Sequence, residues 1–171
     1  MMTAHANIAT LENAVREIAA WLARLALVVA PPVLRVALAV PFFKSGLTKW
    51  DGFLSLSPAA TFLFEDEFKL HIFGYAYDFP FPGVFAYFDG IAEIVLPVLL
   101  ILGFATRFSA LALLVMTGVI QLVVPEGWAN FHLPWAALAV AIMALGPGKL
   151  SLDHLAASLY RPRVISGGGR Q

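Results

Sequence analysis

The chain has 171 residues, of which 60% are hydrophobic and 13% are charged, and its formal net charge is zero. A soluble domain is usually about 45–50% apolar and about 25% charged, so this composition predicts a chain surrounded by a lipid bilayer. The zero net charge provides no basic field that would attract nucleic acid, and the absence of cysteine excludes disulfide, iron–sulfur and thiolate metal chemistry. We expect a single transmembrane domain over residues 1–171.

The N-terminal region contains the first span, and Pro31–Pro32 interrupts its apolar run. Because proline is tolerated best in the first turn of a helix, we predict a break there, between an amphipathic helix over 9–30 and a first span over about 32–50. The alternative is a span over 21–43 that bends at the double proline. The apolar residues of the amphipathic helix recur at helical spacing and suit the membrane interface: Leu11, Val15, Ile18, Leu22, Leu25 and Val29.

The first span ends in the segment PFFKSGLTKW, residues 41–50. We expect Lys44 and Lys49 to extend their ammonium groups into water at the outer membrane surface, while Trp50 lies in the headgroup layer. Gly46 has no side chain and therefore allows either the close approach of another helix or a change of chain direction.

The following connection, residues 51–82, is too rich in aromatic residues for a free linker. We predict that it forms short helices on the outer face and caps the bundle there. One of these helices should begin with Ser57 as its N-cap and Pro58 at its first position, which is a strong helix start.

Three more spans are predicted, over about 84–103, 108–124 and 131–146, because each is apolar and close to the length that crosses the hydrocarbon. In the tail over 149–171, Ser151 should begin a helix that lies on the membrane surface. The fold class is therefore an all-α, four-helix integral membrane bundle with an N-terminal amphipathic helix, short outer-face helices and a C-terminal interfacial helix.

The charges indicate which way the bundle faces. If the N-terminus is cytoplasmic, most basic residues lie on the cytoplasmic side, as the positive-inside rule requires. They are Arg16, Arg24, Arg107, Lys149, Arg161, Arg163 and Arg170. The opposite side receives most of the acidic residues. We therefore expect both termini in the cytoplasm.

Glu93 lies near the middle of the second span, where a charge is costly and is usually paired or functional. The basic partner should come from the first span, from Arg35 or Lys44. Arg35 is preferred, because a guanidinium can bind a carboxylate through two parallel hydrogen bonds. The pair either fixes the helix register or makes Glu93 a proton carrier or ligand group.

A second polar cluster is expected nearer the outer surface, from Asp89, Gln121, His132 and Lys49. His132 could shuttle a proton or bind a quinone carbonyl, with Trp128 and Trp135 beside it as cofactor-binding residues. Alternatively, His132 caps the fourth helix and Gln121 satisfies nearby backbone groups. We predict no metal site, since no histidine pair has helical ligand spacing. No haem, flavin, phosphate-loop or dinucleotide motif is present.

Three segments together resemble the DoxX family of small bacterial inner-membrane proteins: LRVALAVPFFKSGLTKW, AEIVLPVLLILGFATRFSALALLVMTGVIQ and HLPWAALAVAIMALGPGKLSLDHL. The similarity covers roughly residues 33–155, and the matching positions are Arg35, Gly46, Lys49, Glu93, Arg107 and Asp153. The resemblance implies a four-helix membrane bundle in the bacterial inner membrane.

The resemblance also implies a connection to membrane redox chemistry, because the family is named for a subunit linked to thiosulfate:quinone oxidoreduction. One hypothesis is therefore an accessory or quinone-interacting subunit of a membrane redox or metal- and oxidative-stress system. The other is a non-enzymatic membrane anchor or transporter-like bundle that recruits a periplasmic or membrane protein. Whether the chain is an enzyme, and whether it forms a homo-oligomer, stay open at this point.

Overall fold

The structure is a computed structural model, and it describes the backbone of residues 2–160 and the side chains of residues 11–160. This part of the chain contains six α-helices and two small antiparallel β-hairpins. The helices are α1 (Met2–Thr48), α2 (Pro58–Phe62), α3 (Pro82–Leu102), α4 (Thr106–Val123), α5 (Leu133–Leu145) and α6 (Leu152–Tyr160). The strands are β1 (Trp50–Gly52), β2 (Ser55–Leu56), β3 (Lys69–Ile72) and β4 (Tyr75–Asp78).

Four helical segments are long and apolar enough to cross a membrane. They are Leu11–Thr48, Pro82–Leu102, Thr106–Val123 and Pro125–Leu145. The prediction of an all-α membrane bundle is therefore confirmed, and the chain is a multi-pass membrane protein that contacts the lipid bilayer. Two helical turns, Pro125–Gly127 and Trp128–His132, precede α5, so the fourth segment is longer than the predicted span over 131–146.

The predicted break at Pro31–Pro32 is wrong, because α1 runs as one helix through Pro31, Pro32 and Pro41. Proline removes its own N–H from the hydrogen-bonding ladder and its ring crowds the carbonyl four residues earlier, but the helix continues past all three prolines. In lipid, a broken helix would expose more unpaired backbone groups than a continuous one, so proline is tolerated there better than in water. The Arg35 side chain also bonds one carbonyl of this region, since its Nε donates to the Pro31 oxygen over 3.4 Å.

The cap over residues 51–82 contains two β-hairpins besides the predicted helix. Ser57 does begin α2, where its Oγ accepts a hydrogen bond from the Ala60 N–H over 3.1 Å. The expectation of short helices was wrong for both hairpins, β1–β2 and β3–β4, and the second of them closes through a two-residue turn at Phe73 and Gly74. Both turn residues have positive φ angles, 51° and 85°, as the tightest hairpin turns require.

The bundle has two buried clusters. The larger lies between the spans and contains Leu38, Ala39, Phe42, Leu100, Ala110, Leu113, Ala139 and Ile142. The smaller joins the cap to the bundle through Phe64, Phe79 and Ala86. In addition, His71 Nδ1 donates to the Leu122 carbonyl over 3.1 Å, which ties the second hairpin to α4.

We call the end of the bundle with the hairpins the cap end and the opposite end the α6 end. At the α6 end, Ser151 begins α6 as predicted, because its Oγ accepts from the His154 N–H over 3.1 Å. The predicted tail over 149–171 is described only as far as Tyr160. Arg161, Arg163 and Arg170 lie outside the described residues.

Candidate functional site

Two glycines allow α1 and α3 to cross closely at the cap end. A methyl group added at Gly46 would lie 2.9 Å from the Glu93 Cβ, and one added at Gly90 would lie 2.8 Å from the Trp50 ring. Both distances are too short for packed carbon atoms, so neither position has room for a side chain. The predicted close approach at Gly46 is confirmed, and its partner is α3.

This crossing places Lys49 between two carboxylates of α3. The Lys49 Nζ lies 2.6 Å from Asp89 Oδ2 and also bonds Glu93 Oε2. Asp89 and Glu93 are four residues apart and therefore share one face of the helix. Only 8% of Lys49 and 3% of Glu93 is exposed. We call these three residues the Lys49 triad; with all three ionised, one positive and two negative charges leave a net charge of −1.

The triad forms part of the wall of a cavity of about 210 Å³, which we call the cap cavity. The rest of the wall is mostly aromatic and aliphatic. Its aromatic members are Phe42, Phe64, Phe68, Phe79, Phe85 and Trp135. The cavity lies where the spans meet the cap, so it combines apolar walls with charged groups at one side. Sites that bind small organic ligands have this composition.

The predicted partner of Glu93 was wrong, because Glu93 binds Lys49 and not Arg35 or Lys44. Gly46 lies beside Glu93, so in two antiparallel helices Arg35 lies near residue 104 and not near residue 93. The 14 residues from Arg35 to Lys49 correspond to about 21 Å along the helix, far beyond the reach of a side chain. Lys44 lies on the exposed side of α1. The expectation that Lys49 extends into water was also wrong.

Arg35 instead lies in a second polar cluster at the α6 end. Its Nη2 donates to the Leu150 carbonyl, and its charge lies close enough to Asp153 to act on that carboxylate. The Asp153 oxygens accept from the Ala105 and Thr106 N–H groups over 2.8 and 2.9 Å, at the start of α4. We call these residues the Arg35 cluster.

The pKa of Asp153 reflects this cluster. Burial raises the pKa, but the hydrogen bonds from Thr106 and Ala105 and the positive charge of Arg35 lower it by more. The result is a pKa below the ordinary value for aspartate, so the carboxylate stays charged where it caps α4. Backbone hydrogen bonds therefore account for the buried charges of the Arg35 cluster, and the role of the cluster is structural.

The predicted outer polar cluster is divided into two pairs. Lys49 and Asp89 belong to the triad, whereas Gln121 and His132 bond each other, with His132 Nδ1 2.6 Å from Gln121 Oε1. The Gln121 Nε2 also donates to the Pro125 carbonyl over 3.0 Å, as the structural alternative expected. Within the described residues, no hydrogen bond joins the two pairs.

The three residues predicted to bind a cofactor have different positions. Trp135 lines the cap cavity and packs against Phe42, with ring centroids 5.2 Å apart. His132 does not line the cavity but supports its wall, since its ring lies 5.4 Å from that of Trp135. Trp128 is 48% exposed and does not line the cavity. The structure therefore brings Trp135 to the cavity, His132 only to the back of Trp135, and Trp128 to neither.

Comparison with known proteins agrees with this arrangement. A family model described as DoxX matches residues 30–126, which is more than half of the chain. The chain belongs to the DoxX family. An uncharacterized protein of Haemophilus influenzae is 31% identical to it, and the match covers 75% of this chain and 83% of that protein. No solved structure matches the chain significantly.

The residues on which the resemblance in the sequence was based fall at both ends of the bundle. Gly46, Lys49 and Glu93 build the crossing and the triad at the cap end. Arg35 and Asp153 build the cluster at the α6 end, where the Arg107 Nε also donates to the Met143 carbonyl over 3.0 Å.

Sequence reasoning missed the aromatic walls of the cap cavity. Phe85 could have been found, because it lies four residues before Asp89 and eight before Glu93 and so shares their face of α3. Phe64, Phe68 and Phe79 come from the cap, and no periodic pattern predicts that they face the bundle. Ser45, one turn before Lys49 on α1, also lines the cavity and approaches the Glu93 carboxylate.

Proposed function

We propose that this DoxX protein lies in the bacterial inner membrane with both termini in the cytoplasm, and that its cap cavity binds the ring of a quinone. The protein would act as an accessory subunit of a membrane redox or metal- and oxidative-stress system. The observation that carries this proposal is the Lys49 triad on the wall of an otherwise apolar, aromatic cavity.

The distribution of charge supports the orientation. The cap carries Glu65, Asp66 and Glu67, all of them exposed, whereas the α6 end carries Arg107 and Lys149. Basic residues favour the cytoplasmic side of short connections. The cap cavity then opens toward the outer half of the membrane, within reach of lipid-soluble molecules.

The size and chemistry of the cavity fit a single substituted ring. A cavity of about 210 Å³ is somewhat larger than the cavity of about 150 Å³ that is known to bind benzene, so it has room for one ring with small substituents. The ring would lie against Phe42 and Trp135, and its carbonyl oxygens need hydrogen-bond donors. The Lys49 ammonium can donate to one of them.

The triad also suits the protons of quinone chemistry. Reduction of a quinone to a quinol takes up two electrons and two protons. Asp89 and Glu93 are two carboxylates around one ammonium group, so this site can hold a proton beside the ring. With no cysteine in the chain, the electrons would come from a partner protein, which is why we propose an accessory role.

Quinone binding can be tested with matched pairs of variants of the purified protein. We expect short-chain ubiquinone or menaquinone analogues to raise the melting temperature, because a ligand that binds only the folded state stabilises it. Trp135→Leu and Lys49→Gln should abolish the shift. The exposed residues Trp128 and Lys44 provide the controls, and Trp128→Leu and Lys44→Gln should keep it. A wild-type protein that shows no shift in native lipids would refute the proposal.

A second candidate function is a membrane anchor that recruits a protein on the outer side. Three phenylalanines of the cap favour it, since Phe53, Phe73 and Phe81 are 95%, 98% and 78% exposed. Phe53 and Phe73 lie on the two hairpin turns and Phe81 immediately precedes α3. Exposed apolar side chains that form a contiguous patch are typical of contact surfaces. Phe73→Ser would then abolish co-purification of a periplasmic protein and leave any quinone shift unchanged, whereas Trp135→Leu would do the reverse.

A further inference from the structure

The N-terminal half of α1 extends far beyond the bundle. At about 1.5 Å per residue the 47 residues of α1 are about 70 Å long, whereas the hydrocarbon core of a bilayer is about 30 Å thick. The segment from Ala30 to Thr48 already accounts for about 27 Å of that thickness. Leu27 lines a cavity at the α6 end with Leu145 and His154, and residues 11–26 project about 24 Å beyond it. Every residue of 11–29 is exposed.

One face of this projecting helix is apolar and has no partner in the described part of the chain. Its six residues are between 46% and 67% exposed. They are Leu11, Val15, Ile18, Leu22, Leu25 and Val29, and we call them the α1 stripe. Because α1 is continuous through Pro31 and Pro32, the stripe does not fold back onto the bundle. Its apolar side chains therefore need another surface to pack against.

The spacing of the stripe residues along the chain indicates which kind of surface packs against them. Its members are separated by 4, 3, 4, 3 and 4 residues, which is the alternation of the a and d positions in a coiled coil. Val15, Leu22 and Val29 then occupy a positions, and Leu11, Ile18 and Leu25 occupy d positions. Two of the three a residues are β-branched and two of the three d residues are leucine, the pattern that favours a parallel pair of helices, whereas Leu22 at a and Ile18 at d follow the pattern of larger bundles. The row of a and d residues forms the contact line between two paired helices, which we call the seam. Ala19 and Ala26 lie beside the seam and are small enough to allow close packing.

We propose that the α1 stripe pairs with the same stripe of a second copy of this chain, in a parallel, in-register two-helix coiled coil at the α6 end. Two copies inserted in one membrane have the same orientation, so their α1 helices run parallel and like positions meet, as two-fold symmetry requires. The proposal does not depend on quinone binding.

The charges of the segment favour a second copy over the membrane surface. Residues 11–29 contain two acids, Glu12 and Glu17, and two bases, Arg16 and Arg24, so their net charge is zero. Helices that lie on anionic membranes carry mainly lysine and arginine on their polar face. A neutral segment is not attracted in that way, and two neutral copies do not repel each other.

The absence of cysteine allows a direct test by cross-linking. Leu22→Cys and Leu25→Cys place single thiols in the seam, and Ala20→Cys, on the opposite face, is the matched control. All three residues are exposed in the single chain, so their reactivity differs only if copies pair. After mild oxidation of native membranes, we expect the seam variants to form at least fivefold more dimer than the control. Equal yields from the three variants would overturn the proposal.

A second measurement covers the case in which a cysteine disturbs the seam. Ile18→Lys should halve the protein mass measured by light scattering in detergent, while Ala20→Lys should leave it unchanged, with equal helix content in both. If the wild-type protein is already monomeric, the proposal fails. A fluorophore attached to the introduced thiol of the Leu25→Cys variant would then show, by quenching from brominated lipids, whether the stripe lies on the bilayer instead.

Discussion

The two ends of the bundle both bury a basic side chain near carboxylates, but among the described residues only the buried charges of the cap end line a cavity; the cavity at the α6 end is lined by Lys149 and His154 and not by Arg35 or Asp153. At the α6 end, backbone groups satisfy most of the polar atoms, through Leu150 and Pro31 for Arg35 and through Ala105 and Thr106 for Asp153. At the cap end, the Lys49 triad faces a cavity. A buried charge surrounded by backbone groups maintains the fold, whereas a buried charge beside open space can also bind a ligand.

The largest effect is expected at Arg35, which is 2% exposed. Arg35→Met leaves the Leu150 carbonyl and the Asp153 charge without their partner, and breaking a buried pair in this way costs roughly 3–5 kcal/mol. Arg107→Met is the control, because Arg107 is exposed, and should cost less than about 1 kcal/mol. Unfolding titrations in mixed micelles, followed by circular dichroism, measure both values. Equal losses of unfolding free energy in the two variants would show that the Arg35 cluster stabilises the fold no more than an exposed arginine does.

Glycine substitutions compare the packing at the two ends. Gly103 has a φ of +69°, and an added methyl group would overlap the Arg35 guanidinium, so Gly103→Ala should cost about 2–4 kcal/mol. Gly46→Ala, which presses on Glu93, should cost about 1–3 kcal/mol. At Gly118 an added methyl group meets no atom within 4 Å, so Gly118→Ala should not destabilise. The order of the three melting temperatures checks the comparison, and a Gly46→Ala as stable as Gly118→Ala would contradict the close crossing.

A pair of double-mutant cycles distinguishes the two clusters directly. Lys49→Met and Glu93→Gln should show a coupling of about 0.5–3 kcal/mol, because these residues are in contact. Arg35→Gln and Glu93→Gln should add within about 0.3–0.5 kcal/mol, since they are far apart. The free energies of unfolding of all single and double variants are needed. Strong coupling of Glu93 to Arg35 would show that the described register of α1 and α3 is wrong.

The smallest effect is expected for pH at the α6 end. The lowered pKa of Asp153 contributes stability that is fully present above the pKa of an unfolded aspartate, about 3.9, and is lost as the pH falls through the folded value. Asp153→Asn should therefore be less stable than wild type near pH 6, and the difference should shrink as the pH falls through the lowered pKa of Asp153 in the folded state. Melting temperatures measured across this range provide the test, and a constant difference at every pH would contradict it.

The sequence predicted an all-α bundle with four apolar segments long enough to span a membrane, because length and apolar composition alone decide whether a helix can cross a bilayer. It also predicted the local helix starts at Ser57 and Ser151, which depend on side chains three residues from the groups they bond. The predicted break at Pro31–Pro32 was wrong, because the prediction assumed that a helix in a membrane tolerates proline as poorly as a helix in water.

The site was only partly predictable. Composition and spacing identified Glu93 as a buried charge and placed Asp89 on its face of α3. Its basic partner depended on the register between α1 and α3, which the contact of Gly46 with Glu93 decides. The tertiary structure alone brought Lys49 inward, moved Arg35 to the opposite end and closed the cap cavity with phenylalanines from the hairpin region. Local patterns follow from neighbours along one helix, whereas the pairing of buried charges follows from how two helices fit together.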